Sequence, residues 1–207
     1  MKLYYSPGAC SLSPHIIAHE AGVPVELVKV DISAHTTEKG GDFKRINPKG
    51  YVPALELDDG TVITEGVAID LYLSNLKPEA KLSPRADSPE FLKFFEQMLF
   101  ITTEIHKGFG GLFAPVDDAA KDVMRKKLRT RLVFLAEQLK GKEFLFGNGF
   151  TVADAYLFTV LRWAPMIKID LSEWPVFADY SARIEARPAV QKALEMEGLP
   201  IRAKQSA

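Results

Sequence analysis

In the N-terminal part of this 207-residue chain, short strand-like and helix-like apolar runs alternate. Residues 3–5 form an apolar run that stops at Pro7-Gly8, and Ser13-Pro14 predicts a helix cap with proline at the first helical position. That helix is expected to end at Gly22. Residues 26–30 alternate with the period of a strand that buries one face, and Asp42 predicts a short helix stopped by Asn47-Pro48. Residues 54–57 and 62–64 are two strand-like runs joined through Asp58-Asp59-Gly60, a hairpin signal. Glu65 then opens a helix expected to run to about Leu76. The order of strand, helix, strand, helix, strand, strand, helix combines one parallel crossover with a terminal antiparallel hairpin. It predicts an α/β domain over residues 1–76, a four-stranded mixed sheet with helices on its faces.

Residues 77–89 hold three prolines, mixed charge and Leu82 as the sole large apolar residue, so they are expected to be a linker. Beyond Glu90 strand signals cease. Phe91, Phe94, Phe95, Met98 and Ile105 fall on one helical face, and Leu128, Leu132, Leu135 and Leu139 repeat that spacing. Residues 152–164 are apolar nearly all round and predict a buried central helix. Residues 174–187 and 189–197, separated by Pro188, are expected to complete an all-α bundle over residues 90–207.

Composition narrows the function. The chain is 47% hydrophobic with a net charge of −1, and it has no long basic run interleaved with aromatics, so neither nucleic acid nor a membrane is an expected partner. The N-terminus lacks a secretory pattern, no stretch approaches a membrane span, and Cys10 is the one cysteine, which excludes an internal disulfide. These features predict a cytoplasmic protein. No metal is expected.

Candidate chemistry gathers at a few points. Thr151-Val152-Ala153-Asp154 has the form of a capping box with aspartate in place of glutamate, a folding device at the start of an apolar helix. Val52-Pro53 stands between a loop and a strand, and the dipeptide by itself reads as an ordinary trans turn, the alternative being a cis proline that would present the backbone to an extended ligand. Thr64-Glu65-Gly66 either starts a helix in the ordinary way or receives the zwitterionic head of an amino acid. Cys10 and Ser11 adjoin a helix start, with Tyr5 at the end of the preceding strand. The cysteine is either a small buried hydrophobe or a thiol whose ionised form the helix dipole favours. His106-Lys107, with Thr103 and Glu104 one turn earlier, is either a solvated helix end or part of a site.

Taken together, these segments resemble the cytosolic glutathione transferases. The combination of Tyr5, Cys10, Ser11 and His106-Lys107 is similar to the bacterial beta class. The resemblance covers essentially the whole chain, and residues 8–11, 52–55, 64–69 and 150–154 carry it most specifically. It implies a thioredoxin-like first domain, a helical second domain, a homodimer and detoxifying conjugation of the glutathione thiolate to small hydrophobic electrophiles. Val52 and the cis Pro53 would pair with the cysteinyl portion of glutathione, while Glu65 and the Gly66 amide hold its γ-glutamyl end. Glu104 would reach that end from the partner subunit, with Thr103 and Lys107 nearby. Cys10, Ser11, His106 and Tyr5 would surround the sulfur. Gly66 stands where the family usually has serine, and His35 where a lysine often faces the glycyl carboxylate. Phe109, Phe113 and Trp163 are expected either to line the cleft for the second substrate or to be core. Thiol–disulfide exchange through Cys10 is a further expected activity. The alternatives are a dedicated glutathione-dependent reductase or lyase centred on Cys10, and a non-catalytic binding module on the same fold.

Overall fold

The computed structural model describes residues 1–201, so the last residues of the expected helical domain, 202–207, lie outside the described residues. The chain divides into two compact units, one formed by Met1–Ser83 with the segment from Glu185 onward, the other by Pro84–Ile184.

The first unit is built on β1 (Lys2–Tyr5), α1 (Leu12–Glu20), β2 (Glu26–Asp31), β3 (Thr36–Thr37), β4 (Ala54–Glu56), β5 (Val62–Thr64) and α2 (Gly66–Asn75). The sheet order is β3-β2-β1-β4-β5. β1 runs parallel to β2, with Leu3 opposite Leu27, and antiparallel to β4, with Leu3 opposite Leu55. This is the expected thioredoxin-like sheet with one strand more than the four expected. The added strand, β3, pairs Thr36 and Thr37 antiparallel to β2. Two residues are too few to show an alternating pattern, and the reversal that delivers them rests on Asp31. Its Oδ1 accepts from the amides of Ser33 and Ala34 at 2.9 and 3.0 Å. Alternation along β1 sends neighbouring side chains to opposite faces. Tyr4 joins Val28, Val30, Phe43, Val52 and Ala54 in one cluster, whereas Leu3 and Leu55 are fully buried along with Ile16, Ile17, Ile69 and Leu73 of the helices.

Helix α1 begins earlier than Ser13-Pro14 suggested. Ser11 occupies the N-cap position and Pro14 is the third helical residue, a place where proline's missing N–H costs little because the first amides of a helix have no intrahelical partner. Ser13 faces inward and donates to Asp70 Oδ2 of α2 at 2.8 Å. The helix stops as expected at Gly22, whose φ of 64° is a left-handed conformation that glycine adopts without strain. The expected short helix near Asp42 is a 3₁₀ turn over Phe43–Arg45, capped by Asp42 Oδ1 on the Lys44 amide at 2.9 Å.

The second unit is helical. α3 (Phe91–Phe100) runs into a π-helical stretch, Ile101–His106, and then α4 (Lys107–Gly111). The hydroxyls of Thr102 and Thr103 bond back to the carbonyls of Met98 and Leu99 at 2.8 and 2.9 Å, competing with the helical amides for those acceptors at the entrance to the widened turn. α5 (Asp118–Leu139) is followed by α6 (Val152–Leu161), every residue of which is buried. The capping box at α6 is present as predicted. Asp154, fully buried, accepts from the Leu145 and Thr151 amides, the Thr151 hydroxyl and Tyr180 Oη of α7 (Pro175–Glu185), at 2.8–3.0 Å.

The last helix, α8 (Pro188–Met196), differs from the expected bundle, because it packs against α1 within the first unit. Arg187 forks onto the Glu20 carboxylate at 2.6 and 2.9 Å, and Glu197 bonds the buried His15 ring at 2.9 Å. Helical periodicity marks which face of such a segment is buried but not what buries it.

Candidate active site

Cys10 lies in the turn between β1 and α1, half-buried, and its Sγ donates to the Val52 carbonyl at 3.3 Å. Only the protonated thiol makes that bond. At the start of α1 the amides of Leu12 and Ser13 donate to the carbonyls of Ala9 and Cys10 at 3.0 and 3.2 Å. Ser11 departs from expectation. It is fully buried, and its hydroxyl closes the turn on itself, accepting from the Ser6 amide at 3.1 Å and donating to the Ser6 carbonyl at 3.2 Å. Tyr5 is buried at the end of β1, its ring 6.3 Å from His15. Burial, reinforced by Glu197 and Glu38, raises its phenol pKa, so it is a neutral donor at physiological pH.

The turn is tied from behind by residues that sequence patterns did not single out. The Gly8 amide donates to Glu197 Oε2 at 2.9 Å, Glu197 Oε1 meets His15 Nδ1 at 2.9 Å, and His15 Nε2 meets His19 Nε2 at 3.2 Å. Burial lowers the His19 pKa and favours its neutral form. No signal precedes Glu197, which looks in sequence like an ordinary helix-end charge.

The peptide bond Val52-Pro53 is cis, as the family resemblance implied and contrary to the ordinary trans reading of the dipeptide, and both residues are buried. The preceding loop is shaped by Asn47, whose side-chain amide donates to the Tyr51 carbonyl at 2.6 Å, and by Gly50, whose φ of 76° is strained for any residue with a Cβ and where a Cβ would stand 3.1 Å from the His35 ring. His35 Nδ1 lies 3.0 Å from the Gly50 carbonyl. Glu65 stands at the head of α2 with φ 71° and ψ 122°, a strained conformation for a residue with a Cβ, of the kind that collects at ligand sites. Its carboxylate accepts from Lys49 Nζ at 2.6 Å and from Tyr51 Oη at 2.7 Å, and Lys49 also donates to Thr64 Oγ1 at 2.8 Å. The Gly66 amide follows at the first position of α2. Lys49 and Tyr51, which sequence reasoning did not single out, are the side chains that engage the candidate site residue Glu65. Their signal was their place immediately before Val52-Pro53.

In the second unit, the π-helical stretch carries Thr103, Glu104 and His106, and Lys107 begins α4. His106 Nδ1 meets Tyr156 Oη at 2.6 Å and its ring lies 5.0 Å from Trp163, which in turn packs edge-on against Phe113 at 6.0 Å. Phe109 is fully buried and belongs to the core, while Phe113 is half exposed. Glu104 is paired with Arg131, and Lys107 and Thr103 are exposed.

Two family models match the chain: residues 8–76 match the glutathione S-transferase N-terminal domain, and residues 100–188 match the C-terminal domain. Among curated proteins, the glutathione S-transferase GstA of Escherichia coli O157:H7 is 46% identical over 200 residues, covering 96% of this chain and 100% of that protein. The chain belongs to the glutathione S-transferase family. It is a transferase, and its first-unit sheet and helical second unit are the fold of that family. A ternary complex of BphK, a bacterial transferase of the family, superposes with a TM-score of 0.94 at 48% identity, over 96% of this chain and 100% of that one. The bacterial beta-class enzyme of Sphingomonas chungbukensis superposes with a TM-score of 0.93 at 43% identity, over 97% of this chain and 100% of that one. A sphingomonad transferase solved with glutathione has a TM-score of 0.92 at 42% identity, over 97% of this chain and 100% of that one. Among the described residues no helix is long and apolar enough to cross a membrane.

Proposed function

We propose that this protein binds glutathione on its first unit and transfers the glutathione thiolate to small hydrophobic electrophiles in the cytoplasm. The observation that carries this reading is the meeting of Cys10 Sγ with the backbone of Val52 at the cis Val52-Pro53 bond. It joins the thiol of this chain to the backbone that leads into β4, along which an extended peptide would lie. In this reading Val52 pairs with the cysteinyl portion of the ligand. Glu65 and the Gly66 amide take its α-ammonium and α-carboxylate, and His35, beside Gly50, faces the glycyl end. Tyr5, neutral and buried, donates toward the sulfur. Ser11 acts on the sulfur indirectly, by holding the turn that carries Cys10. On the second unit, His106 is braced by Tyr156 and Trp163 as a polar point among aromatics, with Thr103 in the same π-helical stretch and Lys107 next in the chain. Glutathione is a co-substrate, and no metal takes part.

The active form is a homodimer, in which Glu104 turns from Arg131 toward the glutathione of the neighbouring subunit. Light scattering is expected to give about twice the 23.0 kDa chain mass. A monomer with full glutathione affinity would remove Glu104 from the site.

The half-buried Cys10 thiol favours a second activity, thiol–disulfide exchange with glutathione mixed disulfides. The test of the main reading is calorimetry with glutathione, followed by mass spectrometry of products formed from glutathione and a panel of aryl halides, epoxides and enones. Saturable binding and glutathione adducts are expected. Binding without turnover on any electrophile or disulfide would favour a non-catalytic module.

A further inference from the structure

The carboxylate of Glu65 is already engaged by a cation. Lys49 Nζ lies 2.6 Å from Glu65 Oε1 and 2.8 Å from Thr64 Oγ1, and Tyr51 Oη donates to the same Glu65 oxygen at 2.7 Å. The lysine ammonium also stands 5.9 Å from the centroid of the Tyr51 ring. Both side chains leave a loop whose backbone is fixed independently. Asn47 Oδ1 accepts from the Lys49 amide at 3.2 Å, Asn47 Nδ2 donates to the Tyr51 carbonyl at 2.6 Å, and the Gly50 carbonyl meets His35. Asn47 itself is buried. The loop therefore holds the backbone of Lys49 and Tyr51 in place, with both side chains within reach of Glu65. The hydrogen bond to Glu65 is the leading cause of the raised pKa of both Lys49 and Tyr51, so each stays protonated and donating at neutral pH.

We propose that Tyr51 and Lys49 determine the head-group selectivity of this site, Tyr51 by orienting the Glu65 carboxylate and Lys49 by occupying the ammonium position until a ligand ammonium displaces it. The proposal rests on the reading of Glu65 as the acceptor for the α-ammonium of glutathione. Binding is then an exchange of one ammonium for another on a single carboxylate. A ligand with no ammonium has nothing to offer in place of Lys49, which remains on Glu65. Tyr51 Oη donates to the same Glu65 oxygen that Lys49 engages, so the phenol stays on the acceptor when the lysine is displaced.

The chemistry makes two opposite demands on single variants. Removing the competing cation in Lys49→Met should strengthen glutathione binding, and removing the orienting hydroxyl in Tyr51→Phe should weaken it. Each change is expected to be roughly threefold or more, the range of single exposed charge and hydrogen-bond contacts. Neither variant should change the affinity for a glutathione analogue in which hydrogen replaces the α-amino group. A purely structural role for either residue would move both ligands together.

The experiment is calorimetric titration of wild type, Lys49→Met and Tyr51→Phe with glutathione and with the deaminated analogue, at fixed ionic strength. Opposite shifts for glutathione with no shift for the analogue support the proposal. Glutathione affinity that is unchanged, or weakened in Lys49→Met, overturns the role of Lys49. Unchanged affinity in Tyr51→Phe overturns that of Tyr51. Wild type that fails to bind glutathione at all removes the underlying reading and this proposal together, an outcome distinct from wild-type binding with insensitive variants.

Discussion

Cys10 and Glu65 were both visible in the sequence, one as a lone thiol beside a helix start and the other as an acid at the junction of a strand and a helix. Their immediate partners were not. Val52, 42 residues from Cys10, and Lys49 and Tyr51, 16 and 14 residues from Glu65, reach them only once the sheet has formed. Ser11 shows the same limit from the other side: adjacency to Cys10 suggested a role at the sulfur, but a fully buried hydroxyl finds its partners in the nearest backbone, here Ser6. These contacts make the residue-scale prediction specific. If conjugation dominates, glutathione supplies the nucleophile and Cys10→Ala should keep conjugation within about tenfold, roughly 1.4 kcal/mol of transition-state stabilisation. Reduction of a mixed disulfide needs a sulfur to attack or to leave, and the same variant should lose it almost completely. Paired assays of conjugation and of disulfide reduction on one preparation decide the matter. Loss of both would make Cys10 the catalytic centre and favour a dedicated reductase or lyase. In a companion measurement, Glu65→Ala should weaken glutathione binding much more than it slows turnover of the bound complex, since Glu65 is placed at the head group and not at the sulfur. Unchanged affinity would return Glu65 to an ordinary helix start.

At the scale of elements, legibility followed the strength of the local pattern. The stripe of Phe91, Phe94 and Met98 and the hairpin at Asp58-Asp59-Gly60 formed as read, because one face of each had to be buried and each turn had its own chemistry. β3 left no trace, being two residues long, and α8 declared its apolar face without declaring α1 as its partner. The π-helical stretch over Ile101–His106, entered beside the Thr102 and Thr103 hydroxyl bonds, is a change of backbone winding that a hydrophobic pattern does not register. The capping box of α6 was legible in form but not in extent, since Asp154 also collects the Leu145 amide and Tyr180 Oη from outside the motif. Asp154→Ala therefore does more than uncap a helix. It strands buried donors on three other residues, and the expected cost is about 3 kcal/mol or more, well beyond that of a lost cap alone. Tyr180→Phe removes one of those bonds and should cost about 1 kcal/mol. Chemical denaturation of both variants measures the two losses. A cost of about 1 kcal/mol for Asp154→Ala would mean that its donors find other acceptors.

For the whole molecule, the carboxylates pull stability in opposite directions as pH changes. Exposed groups such as Asp31, Asp59 and Asp170 have pKa values lowered chiefly by hydrogen bonds from neighbouring residues. Each stabilises the fold above its unfolded pKa and loses that effect as pH falls through its folded pKa, and at full exposure each effect is small. Asp70 is the opposite case. It is fully buried, Ser13 bonds one of its oxygens, and the other has no hydrogen-bond partner. Burial raises its pKa well above the ordinary aspartate value, and the Ser13 bond opposes that rise only in part. The folded chain therefore keeps a proton on Asp70 at pH values where the unfolded chain, with a pKa of about 3.9, has released it. Stability from this group is present in full below that unfolded pKa and declines as pH rises toward the folded one. The charges on neighbouring elements do not reverse this, because burial and the Ser13 bond are its principal influences. Asp70→Asn carries no titrating proton, so its melting temperature should fall less steeply between pH 5 and pH 8 than that of wild type, whatever the offset between the two curves. Thermal melts across that interval provide the slope. Parallel curves would mean that Asp70 is ionised in the folded protein, and that its unpartnered oxygen finds a donor in solution.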